Sequence, residues 1–229
     1  MLSGSHNFHI PPSWVGDSAV TIPPGQIYKQ LRSVLRVQKG DAVRFFDGLG
    51  NVAECSLAHI SQEGIIATIN NCSAQVRPTA AALAIAILKN DRMRFVLEKA
   101  TELGVSAIIP MTTERVIKRP DATPPRWELI IKEAAEQSGR AWLPMLEPVH
   151  SFKEVIEKHP NPLVCHLGSF EPIERVKMSR PATILIGPEG GFTEDEVAFA
   201  EHKKIPIVSL GDFALRADTA AIVALTRIN

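Results

Sequence analysis

Ile184-Leu185-Ile186-Gly187-Pro188-Glu189-Gly190-Gly191-Phe192-Thr193 reads as a buried strand that breaks into a glycine-rich turn and then opens a helix. Thr193 followed by Glu196 forms a capping box, so a helix over Thr193–Glu201 starts where the turn ends. The same alternation continues on both sides. Upstream come strand Ala82–Leu88, helix Asp91–Leu103 stopped by Gly104, strand Val105–Met111 and helix Arg126–Ser138 stopped by Gly139. A short strand near Met145–Val149, helix Phe152–Lys158 and strand Leu163–Leu167 lead up to the quoted stretch. Strand Ile205–Leu210 and a final helix from about Asp218 follow it. Strands that alternate with helices imply a parallel α/β sheet.

The first seventy residues follow another pattern. Val43–Phe46, Val52–Ile60 and Ile65–Ile69 are strand candidates, punctuated by Asp47-Gly48 and Glu63-Gly64. One helix precedes them, with Ile27, Leu31, Val34 and Leu35 at helical spacing. This predicts a small β-rich domain over 1–74 and an α/β domain over 75–229, divided at the polar stretch Ser73–Pro78.

Ligands of open α/β sheets sit at the carboxyl ends of the strands. The Gly187–Gly191 turn lets backbone approach a ligand closely. It has neither a Walker lysine nor GxGxxG spacing, and the Glu189 carboxylate would repel phosphate. A ligand with hydroxyls, an adenine edge or a positive charge suits it better. A tight structural turn is the plainer alternative. A second strand end, Leu210-Gly211-Asp212-Phe213-Ala214-Leu215-Arg216-Ala217-Asp218-Thr219-Ala220, places Arg216 just before a helix for which Asp218 is a plausible N-cap. Arg216 there can meet an anion, or simply pair with Asp218. A third segment carries Arg115, Lys118, Arg119 and Arg126 around a loop, and each alone reads as a solvated charge. Gln137 and Arg140, on the face shared with Glu133 and Glu136, either line a site or tie the helix to a loop.

Composition sets outer limits. The chain has 229 residues, 25 basic and 25 acidic side chains, and is 45% hydrophobic, which excludes wholesale disorder. The longest apolar run, Ala80–Leu88, is far short of the roughly 20 residues of a membrane span. The first residues show no secretory signal, and Cys55, Cys72 and Cys165 form no paired pattern, so a cytoplasmic protein is expected. His6 and His9 lack further ligand partners, and His150, His159, His166 and His202 read as structural or exposed. No metal is expected on this reading.

Lys-Ala-Thr-Glu-Leu-Gly-Val (99–105), Glu-Arg (114–115), Arg-Trp (126–127), Glu-Ala-Ala-Glu-Gln-Ser-Gly-Arg (133–140), Ile-Gly-Pro-Glu-Gly-Gly-Phe-Thr (186–193) and Leu-Gly…Leu-Arg-Ala-Asp-Thr-Ala (210–220) stand in this order. Together they resemble the RsmE family of 16S ribosomal RNA uridine-N3 methyltransferases, of the SPOUT class. Val-Leu-Arg…Gly-Asp…Phe-Asp-Gly (34–36, 40–41, 46–48) is similar too, so the likeness spans nearly the whole chain.

The resemblance implies a small PUA-like β-barrel followed by a SPOUT-type α/β domain with a deep trefoil knot. It implies S-adenosylmethionine as cofactor, held by Leu167, Gly168, Ile186, Gly187, Pro188, Glu189, Gly190, Gly191, Leu210, Gly211 and Leu215. It implies a homodimer, and 16S ribosomal RNA of the small subunit as substrate. Arg216 becomes the candidate catalytic residue. Arg32, Arg36, Lys39, Arg44, Arg115, Lys118, Arg119 and Arg126 become candidates for RNA contact. Departures are local: Asn7-Phe8-His9 stands for Arg-Phe-Phe, Tyr28 for His, Phe213-Ala214 for Arg-Ile, and Asp218 for Glu. Phe213 keeps a second reading open, a non-catalytic or retargeted RNA-binding protein.

The neutral total is itself a cancellation. Residues 75–145 hold eleven basic and eight acidic side chains, whereas 146–229 hold nine and twelve. RNA binding therefore rests on a local patch rather than on a generally basic protein.

Overall fold

The computed structural model describes residues 6–78, 81–116, 122–177 and 179–228. It divides into two compact units, Met1–Arg77 with Ala135–Leu143, and Pro78–Ala134 with Pro144–Asn229.

In the first unit β1 (His6–His9), β2 (Ala19–Ile22), β3 (Ala42–Phe46), β4 (Asn51–Ile60) and β5 (Ile65–Ala74) form one mixed sheet in the order β1-β3-β4-β5-β2. β1 runs parallel to β3, and the other pairs are antiparallel. The register of β4 against β5 slips at Glu54/Cys55 and at Leu57/His59, and such bulges bend and twist a long hairpin. Phe8, Ile10, Val20, Ile22, Phe45, Leu57 and Ile65 fill the enclosed face. The helix α1 (Gln26–Lys29) runs on as a π-helical turn over Gln30–Val34. That wider turn corrects one expectation: Ile27 and Leu31 are buried, but Val34 is 72% exposed because the phase of the apolar stripe has shifted.

Residues 135–143 complete this unit, a return that local sequence does not announce. Trp142 closes over the turn after β3, where Gly50 has φ +97° and a Cβ would lie 2.4 Å from the indole. The indole N–H donates to the Gln75 carbonyl at 2.9 Å.

The second unit holds β6 (Ala82–Ala86), α2 (Asn90–Glu102), β7 (Ala107–Thr112), α3 (Arg126–Ser138), β8 (Met145–Leu146), β9 (His150–Ser151), α4 (Phe152–Lys158), β10 (Pro162–Cys165), β11 (Thr183–Ile186), α5 (Glu194–His202), β12 (Ile207–Val208) and α6 (Ala217–Ile228). The last residues of α3 fold with the first unit. The sheet order is β12-β10-β11-β6-β7-β8, with β9 also beside β7, and every pair is parallel. Both faces are covered, so the residues of β11 and most of β6 are buried without alternation. β12 is an edge strand, yet α6, which follows it, packs on α2, β11 and β6 near the middle of the sheet.

Candidate functional site

Three neighbouring strands end together. Cys165 of β10 registers with Ile186 of β11 on one side and with Val208 of β12 on the other. The loops that leave these strands enclose a cavity of about 290 Å³. Its walls are Cys165, His166 and Leu167 from the first loop, Ile186–Phe192 from the second, and Leu210, Gly211 and Phe213–Leu215 from the third. Ala217 and Ala220 of α6 and the side chain of Arg115 close it. Apolar side chains and main-chain groups thus share the lining, the mixture found in cofactor pockets. Of the eleven residues expected here, Gly168 alone lies outside the lining. A Cβ there would sit 2.9 Å from His166 Nε2, so Gly168 leaves room for a side chain that does reach the cavity.

The Gly187–Gly191 turn is braced on several sides. Gly191, at φ +68°, donates its N–H to the Pro188 carbonyl at 2.8 Å. A Cβ on Gly187 would press within 3.3 Å of the Gly191 backbone and the Phe192 ring. Arg115 Nη1 donates to the carbonyls of Gly190 and Phe192. Arg115 is placed by its neighbour, because the Glu114 N–H donates to Glu196 Oε1 at 3.0 Å. Glu196 is buried and accepts from Thr193 through its other oxygen, completing the capping box of α5. Glu189 Oε1 pairs with Arg92 Nη1 of α2 at 2.6 Å. The carboxylate in the turn is therefore paired with a guanidinium, a partner the sequence alone did not reveal. Burial pushes the Cys165 thiol up to about 12, which keeps it the neutral thiol at neutral pH.

The third loop is exposed from Gly211 to Arg216. Gly211 has φ +130° and donates its N–H to Ser209 Oγ at 3.1 Å. Arg227, at the far end of α6, donates to the Leu210 carbonyl and pairs with Glu174, both at 3.0 Å. α6 starts one residue earlier than expected. Asp218 is consequently not the N-cap but a first-turn acid, whose Oδ1 accepts from the Thr219 N–H. Arg216 takes the flanking position, its carbonyl accepting from the Ala220 N–H at 2.7 Å. Its side chain makes no ion pair among the described residues, Asp218 included. An exposed guanidinium beside the positive end of a helix favours an anion. Phe213, which no spacing argument singled out for this cavity, lines it with 83% of its surface exposed.

The other basic candidates separate. Arg32, Arg36, Lys39 and Arg126 are exposed, and Arg32 stacks over the Tyr28 ring. Arg44 must be corrected: it is 7% exposed, and its Nη1 donates to Asn7 Oδ1 at 2.6 Å and to the Gly139 carbonyl at 3.2 Å. Desolvation holds its pKa below the usual arginine value. It holds residues 135–143 within the first unit and cannot grip an external phosphate. Arg115 serves the glycine-rich turn. Lys118 and Arg119 lie outside the described residues. Asn7 and Arg140 also belong to the first unit, where Asn7 donates to the Glu136 carbonyl.

Comparison with known proteins places these features in a wider group. Residues 75–229 match the RNA methyltransferase domain model, and residues 24–70 the RNA methyltransferase PUA domain model. The ribosomal RNA small subunit methyltransferase E of Synechocystis sp. is 36% identical over 96% of this chain and 76% of its own length. That of Bacillus subtilis is 29% identical over 90% and 88%. Among solved structures, the same enzyme from Neisseria gonorrhoeae, bound to S-adenosyl methionine, superposes with a TM-score of 0.88 at 30% identity, covering 97% of this chain and 96% of that one. A methyltransferase from Legionella pneumophila with bound cofactor gives 0.83 at 26% identity, over 98% and 97%.

Proposed function

This chain belongs to the RsmE family of ribosomal RNA small subunit methyltransferases, and from that premise we propose that it methylates N3 of a uridine in 16S ribosomal RNA. It is an S-adenosylmethionine-dependent small-subunit ribosomal RNA methyltransferase with a PUA domain before a parallel α/β domain. The observation that carries the finer reading is the cavity at the joined ends of β10, β11 and β12, with Arg216 beside it at the start of α6.

The residues present fit the cofactor. The cavity is close to the lower end of ligand-pocket sizes, roughly 300 Å³. Gly187 lets the turn close on the Gly191 backbone and the Phe192 ring, which brings its main-chain groups to the cavity wall. Main-chain groups of the Gly187–Gly191 turn and of Leu210–Gly211 would hold the adenosine, with Ile186, Leu167 and Leu215 against its apolar faces. The Glu189–Arg92 pair keeps a carboxylate at the rim. When bound, the cofactor supplies an electrophilic methyl group.

Uracil N3 carries a proton, which would pass to water as N3 takes the methyl carbon and the methyl–sulfur bond breaks, leaving a neutral thioether. Arg216 stabilises the negative charge that develops on the uracil ring, assisted by the positive end of α6. Phe213 offers an exposed ring on which the target base can stack. Arg32, Arg36, Lys39 and Arg126 contact phosphates, and affinity for RNA then falls steeply with salt. Two further parts of the proposal are a homodimer and the trefoil knot. Leu167 and Phe170, 56% and 99% exposed, support the first as surface for a second copy to cover. The passage of the chain from edge strand β12 to α6 at the middle of the sheet supports the second. The assembled small subunit in the cytoplasm is the expected setting, and among the described residues no helix is long and apolar enough to cross a membrane.

Labelled-methyl transfer to small ribosomal subunits and to naked 16S RNA, followed by nucleoside analysis, tests the reading. Label in N3-methyluridine is expected. Label in another nucleoside would overturn the assignment to N3.

A further inference from the structure

Glu147, His150 and His159 meet in the α/β unit at a place the methyl-transfer reading does not use. Glu147 follows β8, His150 opens β9, and His159 ends α4. His150 Nε2 lies 3.4 Å from Glu147 Oε2, and His159 Nε2 lies 3.5 Å from the same oxygen. The three ligand atoms are all within 4.8 Å of one another. The two imidazoles stand edge to face, with centroids 5.4 Å apart. Both Nε2 atoms are buried, and neither makes a hydrogen bond.

That spacing is too long for a good hydrogen bond, for which N···O distances run about 2.7–3.2 Å. Those two separations from Glu147 are what a small cation imposes. Ligands bonded at about 2.0–2.2 Å in a tetrahedral arrangement stand roughly 3.3–3.5 Å from each other. The Lys158 ammonium, next to His159 in sequence, pairs with Glu154 at 2.9 Å. The side chains are 13–20% exposed, so solvent can supply one more ligand.

We propose that Glu147, His150 and His159 form a site for a zinc-class divalent cation, with water in the fourth position. Two imidazoles and one carboxylate suit such a metal. The ion would strap the β8–β9 connection to the end of α4.

The test uses the full chain, stripped with a chelator and titrated with Zn²⁺ by calorimetry and against a chromophoric competitor. One ion per chain is expected, with Tm raised by about 5 °C at saturation. His150→Gln and His159→Gln should each weaken binding by at least about tenfold, since even outer-shell changes cost that much. His202→Gln, at an exposed position on the end of α5, should leave it unchanged. Equal affinity in the wild type and in the two cluster variants would overturn the proposal and leave an ion pair. Should a variant fail to fold, Co²⁺ in the wild-type protein decides. Intense visible bands of a four-coordinate ion are expected, and the pale spectrum of hydrated cobalt alone would contradict the site.

Discussion

The two loops that face each other across the cavity are built in opposite ways. The turn after β11 is fixed from outside by Arg115, Arg92 and Glu196, and from inside by the Gly191–Pro188 hydrogen bond. The loop after β12 is exposed from Gly211 to Arg216 and is tied mainly at its base, by Ser209 and Arg227. The fixed wall suits a ligand that must be held the same way in every turnover. The exposed wall carries Phe213 and Arg216, the groups that can reach a large substrate from solvent. On the proposed reading, cofactor binding draws on the fixed turn and on main-chain groups at the base of the exposed loop, whereas base recognition and charge stabilisation fall to the side chains of Phe213 and Arg216.

Four changes would break or sharpen that contrast. Arg216→Ala should lower single-turnover methylation by about a hundredfold or more, the usual cost of losing a charge stabiliser, with cofactor affinity nearly unchanged. Arg115→Met removes two charge-assisted hydrogen bonds from the fixed wall, and calorimetry should show cofactor affinity falling about tenfold. Phe213→Ala should weaken RNA binding about fivefold, the scale of one lost stacking contact, with no change in cofactor affinity. The smallest effect lies away from both walls. Ser151 and Glu154 cap α4, and the Ser151 N–H, with help from Lys158, pulls the Glu154 carboxyl down to about 2. Its folded pKa is thus below the unfolded value of 4.5. The stabilisation is present above that value and is lost as pH falls toward 2. Thermal melts of Glu154→Gln and wild type should differ at neutral pH and converge in acid.

Much of the α/β unit was legible because its signals are local. The capping box at Thr193–Glu196, and the glycines that follow α2 and α3, mark helix ends within a few residues. Two of the site's three strand ends were legible for the same reason, since glycine-bearing turns follow apolar runs, and the third, after β10, rested on the family resemblance. What stayed hidden depends on partners far along the chain. Arg115 reads as one charge in a basic run until the carbonyls of Gly190 and Phe192 are seen against it. Arg44 reads as a surface charge until residues 135–143 cover it. Val34 fits an α-helical stripe and is expelled only because the helix widens. Glu147, His150 and His159 are twelve residues apart at most, yet only the fold of α4 against β9 brings their ligand atoms together.

The central claim is that the Arg115 side chain serves cofactor binding by fixing the turn after β11, while the Arg216 side chain serves chemistry. Titrating S-adenosylmethionine calorimetrically into Arg115→Met and Arg216→Ala protein, side by side with wild type, tests it most directly. The account predicts weakened binding for the first variant and wild-type binding for the second. Equal losses of affinity in both variants, or a loss confined to Arg216→Ala, would contradict it.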